Sequence, residues 1–123
     1  MIEVAVVIDL KGAPIYWHLP EGRTGGSIPD SRNLWQILWE NRDKISAVAH
    51  SHPGRGNPGP SVTDITTFTA IEAALGKRFV WYICSEDGFS YSHAKGNGYL
   101  TLPYYHEPAW LPELRRLSYG GVT

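Results

Sequence analysis

The 123 residues carry eleven basic and twelve acidic side chains, a formal net charge of −1, with 42% hydrophobic and 12% aromatic content. That length allows one domain with a single core, and the near-neutral balance leaves no electrostatic footprint for nucleic acid or an anionic membrane. Cys84 is the only cysteine, which excludes an internal disulfide, and its place in Phe79-Val80-Trp81-Tyr82-Ile83-Cys84 predicts a buried thiol rather than a nucleophile.

In chain order, Glu3 to Asp9 is almost continuously apolar and β-branched, the pattern of a central strand covered on both faces. Lys11-Gly12-Ala13-Pro14 reads as a hairpin turn into a second strand, Ile15 to Leu19. Pro20 to Pro29 has no periodicity and reads as a loop. Asp30 or Ser31 can cap a helix from about Arg32 to Arg42, with Leu34, Ile37, Leu38 and Asn41 on its core stripe. Trp35 and Trp39 lie on a flanking face of that helix, where core packing explains them more simply than a ligand box. Ile45 to Ala49 is a short apolar strand that delivers His50 and His52 at its carboxyl end.

Beyond it, Ser61 to Leu75 has helical spacing, with Ile65, Phe68, Ile71 and Leu75 on one face and Gly76 as its stop. Phe79 to Cys84 is the next strand. Asp87-Gly88 turns the chain into Phe89 to His93, and Gly96-Asn97-Gly98 turns it again into Tyr99 to Tyr105. The order β-β-α-β-α-β-β-β predicts a mixed α/β or α+β domain over residues 1–105, with a mixed central sheet and two main helices. Residues 106–123 read as a C-terminal extension and a solvated tail. No cationic segment precedes the first apolar run, and no apolar stretch approaches membrane-spanning length, so a cytoplasmic protein is expected.

The chemistry concentrates between His50 and Asp64. In an extended strand, residues two apart share a face, so the two imidazoles project the same way from Cα atoms about 6.6 Å apart. That span suits one zinc ion with nitrogen ligands at about 2.0–2.1 Å. Asp64 supplies an oxygen, and three protein ligands with one open position make a catalytic rather than a structural arrangement. Ser61-Val62-Thr63-Asp64 is also a capping box in which Asp replaces the usual Glu. A metal in such a site acidifies water and polarises a carbonyl, the chemistry of amide hydrolysis. The set lacks a base, for which a nearby carboxylate is the natural choice.

His50-Ser51-His52-Pro53 together with Ser61-Val62-Thr63-Asp64 resembles the signature of the JAMM, or MPN-plus, metalloproteases. The similarity extends from Glu3 to about Leu102 as an order of strands and helices. The resemblance implies zinc held by His50, His52 and Asp64, an upstream Glu as general base, and Ser61 as a donor to the oxyanion. Glu3 matches that Glu best because it opens an apolar strand. Glu21, in a loop, and Glu40, at the end of a helix, stand behind it. Family members usually have a helix before this strand, whereas two residues precede Glu3 here. The loop from Pro53 to Pro60 is one residue longer than is usual in the family.

The implied activity is hydrolysis of a peptide or isopeptide bond after the Gly-Gly tail of a ubiquitin-like or sulfur-carrier protein, with small amide conjugates as the alternative substrate. A metal-free MPN-like scaffold is the rival reading; the barrel of an amidohydrolase does not fit this length. His18, His93 and His106 read as surface or edge residues. The run from Leu114 to Thr123, with Gly120-Gly121, faintly resembles the tail of a ubiquitin-like protein, which would let it occupy a groove as a tethered pseudo-substrate, although a plain solvated tail is the simpler reading.

Overall fold

A computed structural model describes residues 1–19 and 32–120. The expected loop from Pro20 to Pro29, its cap at Asp30 or Ser31, the candidate Glu21 and the final residues 121–123 lie outside the described residues. Among the described residues the strands are β1 (Ala5–Asp9), β2 (Pro14–His18), β3 (Ile45–Ser51), β4 (Val80–Cys84), β5 (Phe89–Lys95) and β6 (Gly98–Pro103). The helices are α1 (Arg32–Glu40), α2 (Val62–Leu75) and α3 (Leu111–Ser118). The six strands form one mixed sheet in the order β2-β1-β3-β4-β5-β6, in which β3 and β4 are parallel and the other pairs antiparallel. The mixed α+β class expected from the sequence is the one observed.

Connection lengths explain that order. Short turns join the antiparallel pairs β1–β2, β4–β5 and β5–β6, the antiparallel β1–β3 pair has β2 and α1 between its strands in the chain, and the parallel β3–β4 pair needs a crossover, which α2 supplies. The central strand β1 is buried along most of its length because it is covered on both faces. Val4, Val6 and Ile8 point to one side, into a cluster with Cys84, Trp110, Leu111 and Leu114. Val7 points to the other side with Val48 and Trp81, where Leu34 and Leu38 of α1 and Phe68 and Ile71 of α2 cover the sheet. The thiol of Cys84 is buried as expected, and its pKa is pushed up to about 11, chiefly by that burial. Trp35 packs partly against the α1–α2 side, but Trp39 is 53% exposed. No helix among the described residues is long and apolar enough to cross a membrane.

Core packing fails for the exposed Trp39, and other expectations fail with it. The segment after residue 105 is not a solvated tail: Pro112 sits in the first turn of α3, and Leu111 and Leu114 are fully buried against β1. The period of Leu111, Leu114 and Leu117 carried this information, but nearby prolines and glycines made the segment read as punctuation. Being helical and packed, residues 111–118 cannot lie extended in a groove, which overturns the tail-mimic reading for them. His18 is likewise not a surface residue. It is 3% exposed in β2, and its Nδ1 lies 3.1 Å from the Tyr16 hydroxyl. Burial holds its pKa below the ordinary value.

Because α3 closes one face of the sheet, Leu114→Ala should destabilise the protein by about 2–5 kcal/mol, measured by denaturant unfolding; a solvated tail would give a change within about 0.5 kcal/mol.

Candidate metal centre

The ladder between β1 and β3 aligns Ala5 with His50. At the end of β3 the two imidazoles project together, with ring centroids 4.9 Å apart and planes inclined at 60°. The edge of Phe68 lies against His50, and Phe68 is itself stacked on Trp81 at 4.2 Å, so an aromatic wall limits how the His50 ring can turn. The third group arrives through helix capping. Ser61 Oγ accepts from the Asp64 N–H at 3.0 Å while Asp64 Oδ2 accepts from the Ser61 N–H at 2.9 Å. The box that starts α2 therefore also aims Asp64 at the histidines.

Asp64 Oδ2 is 2.7 Å from His52 Nε2 and 3.3 Å from His50 Nε2. The first contact is a hydrogen bond. The second lacks hydrogen-bond geometry, and His50 Nε2 is buried with no hydrogen-bonding partner among the described residues. Ligands of a tetrahedral zinc are separated by about 3.3–3.4 Å when each bond is about 2.0–2.1 Å. The His50–Asp64 separation already matches that edge, and the His52–Asp64 pair needs to open by about 0.6 Å on exchanging its shared proton for a metal. The three ligand atoms all lie within 4.8 Å of one another. Two imidazole nitrogens and one carboxylate oxygen are also the donor set that suits zinc, so the residues present fit the ion.

Electrostatics agree with the geometry. Burial pushes the Asp64 carboxyl up, but contacts with His50 and His52 and the Ser61 N–H outweigh it and hold the group well below the usual carboxylate range. Burial pushes His52 down, yet its hydrogen bond to Asp64 and the charges of Asp64 and Glu3 leave its pKa above the ordinary value. The metal-free cluster is thus a carboxylate paired with an imidazole that favours its proton.

Glu3 stands immediately ahead of β1. Ser51 N–H donates to the Val4 carbonyl at 3.1 Å and Val4 N–H donates to Ser51 Oγ at 2.9 Å, so the pairing runs past the end of the strand and sets Glu3 across from His52. Glu3 is fully buried, and neither carboxylate oxygen has a hydrogen-bonding partner among the described residues. Its pKa is raised to about 7, first by desolvation, which the charge of His52 opposes and that of Asp64 reinforces. The other buried glutamate behaves differently. Glu72 accepts from the Phe79 N–H at 2.9 Å, from Trp81 Nε1–H at 3.0 Å and from the Tyr99 hydroxyl, the pattern of a structural carboxylate. Glu40 is exposed and bonded to Gln36, away from the cluster.

The surroundings are set by two further features. A cavity of about 380 Å³ lies beside His50 and Asp64, walled mainly by Leu34, Leu38, Phe68 and Ile71. The loop between the ligands docks on the β4–β5 turn: Ser85 Oγ donates to the Gly56 carbonyl at 2.6 Å, and Gly56 N–H donates to Asp87 Oδ1 at 2.7 Å. A side chain at Gly88 would meet that Gly56 carbonyl at 2.0 Å, so the docking depends on glycine there. His93 is half-buried and His106 exposed, and neither belongs to the three-residue cluster.

Glu3 makes a pH prediction for the metal-free protein. A carboxyl whose pKa rises from 4.5 unfolded to about 7 folded contributes its full stability below 4.5, and that contribution is lost as pH rises through about 7. Apo wild type should therefore lose stability relative to Glu3→Gln over that window, by roughly 3 kcal/mol at about 1.4 kcal/mol per pH unit. Parallel melting curves of the two proteins across the window would contradict the buried, partnerless carboxylate.

No protein-family model and no curated protein matches the chain significantly, so the chemistry assigned to this cluster rests on its own residues.

Proposed function

We propose that the protein is a zinc-dependent peptidase or isopeptidase of the JAMM type that cleaves an amide bond after the C-terminal tail of a ubiquitin-like or sulfur-carrier protein. The observation that carries this reading is the cluster of His50, His52 and Asp64 together with a buried Glu3 carboxylate, set by strand register across from His52, that no described residue satisfies. Structural ion pairs explain the first three residues alone. They do not explain the fourth, because an unpartnered buried carboxylate costs stability and is retained where it has work to do. A small amide conjugate remains the alternative substrate, and the single, buried Cys84 suits a reducing compartment such as the cytoplasm.

When bound, zinc would lower the pKa of a water from about 15.7 to about 7 and polarise the scissile carbonyl. The chain's own residues account for the rest. Glu3, titrating near neutrality, accepts a proton from the attacking water and returns it to the leaving amine. A cation at the three ligands draws that pKa down again, so about 7 is the value before loading. Ser61 uses a lone pair of its hydroxyl for the helix cap, which leaves its proton free to donate to the oxyanion. The two roles are compatible in one molecule at one time. The apolar cavity beside His50 and Asp64 offers room for the acyl side of a substrate.

Elemental analysis of the purified protein should find one zinc per chain; a protein that cannot be loaded at neutral pH would remove the enzyme reading and leave the scaffold. Glu3→Gln should keep the metal and lose about 10²–10⁴ in turnover of a Gly-Gly isopeptide, whereas His52→Ala should lose both. Zinc affinity should fall as pH drops. Because the pKa of His52 is raised above 6.5, the decline should begin above that value, which a metal-competition titration across pH checks.

A further inference from the structure

Most of the molecule's unassigned features have a local explanation. The Glu72 network is satisfied, the exposed Trp39 ring is covered by the Arg42 guanidinium at 4.0 Å, and Cys84 is buried among apolar side chains. One set of contacts does not. Ser118 and Tyr119, at the end of α3, reach backbone groups on either side of the metal cluster, more than sixty residues away in the chain.

The Tyr119 hydroxyl donates to the carbonyl of His52 and lies 3.0 Å from the carbonyl of Cys84. The His52 N–H donates to that same Cys84 carbonyl at 2.8 Å. His52 is therefore gripped through both its N–H and its C=O just where β3 has ended. The next residue, Pro53, has no N–H to offer, and the glycine-rich loop follows. Ser118 acts on the other strand. Its carbonyl accepts from the Ile2 N–H at 3.0 Å, and its hydroxyl lies 2.7 Å from Ser51 Oγ, which in turn accepts from the Val4 N–H at 2.9 Å. The residues immediately before and after Glu3 are thus both tied to Ser118, one directly and one through Ser51. Helix α3 can act as an anchor because Leu111 and Leu114 fix it to the sheet, and Arg115 binds the carbonyls of Ser85 and Gly88 at 3.2 and 3.0 Å.

We propose that Ser118 and Tyr119 are positioning residues of the metal centre, holding the Glu3 and His52 backbones in mutual register so that base and ligand face one ion. The proposal rests on the metal reading above. Physically, a bound ion gains from ligands whose backbone is already fixed, since the ordering entropy is then lost on folding rather than on binding. Hydrogen bonds behind metal ligands typically change affinity by about 10–100-fold.

The test uses cobalt(II) as the probe in the full-length chain. Tyr119→Phe keeps the ring and removes the hydroxyl; Leu117→Ala weakens the packing of the same helix without touching these hydrogen bonds. Tyr119→Phe should lower cobalt affinity about tenfold and shift the visible absorption of the bound ion, while Leu117→Ala lowers the melting temperature and leaves both readouts at wild type. Wild-type affinity and spectrum in Tyr119→Phe overturn the positioning role alone. Equal losses of affinity in the two variants reduce it to general stability and overturn it as well. A wild type that binds no cobalt overturns the metal reading, and the positioning role with it.

Discussion

The register between β1 and β3 is the constraint on which the site depends. Ala5 pairs with His50, and continuation of the pairing through Val4 and Ser51 sets Glu3 across from His52. Side chains alternate along a strand, so a slip of one residue would turn Glu3 into the α3-facing cluster that Val4 and Val6 now fill and bring an aliphatic side chain to the histidines. The same alternation gives both histidines one face. Hydrophobic packing enforces the choice, because a charged Glu3 among Leu111, Leu114 and Trp110 has no partner there.

Once the register is set, the charges combine in the way that the proposed metal centre requires. Asp64 is held ionised, His52 leans towards its protonated form, and Glu3 resists ionisation. Each departure has a cost or a partner within the cluster, and in the proposed loaded state a divalent ion would attract both carboxylates, opposing the upward shift of Glu3, and displace the proton from His52. Glu72 shows what the fold does with a carboxylate that it uses for structure: it surrounds it with donors. The contrast between the two buried glutamates lies in their partners rather than in their burial.

Much of this was legible in the sequence because it is local. His-x-His at the end of an apolar strand needs only the period of two, and Ser61-x-x-Asp64 needs only the chemistry of a helix start; both appear where the residues put them. The α2 stripe was nearly right, with Phe68 and Ile71 buried, but Glu72 joins the buried face because Trp81 and Tyr99 satisfy it from distant strands. What sequence reading missed is non-local. Tyr119 reaches His52 across 67 positions, and no spacing rule links a tyrosine near a glycine pair to a histidine strand. Nor does any local pattern link Ile2, just ahead of Glu3, to the Ser118 carbonyl that its N–H reaches at 3.0 Å. His18 looked like an edge residue because its strand is an edge, although its side chain is buried.

The most direct measurement of the central claim is zinc-edge X-ray absorption of the loaded protein, beside Glu3→Gln. Two imidazole nitrogens and light oxygen ligands at about 2.0–2.1 Å in a four-coordinate shell, unchanged in Glu3→Gln, are the predicted result. One imidazole or none in the shell, or a first shell that alters when Glu3 is replaced, would contradict a centre built from His50, His52 and Asp64 with Glu3 held free as the base.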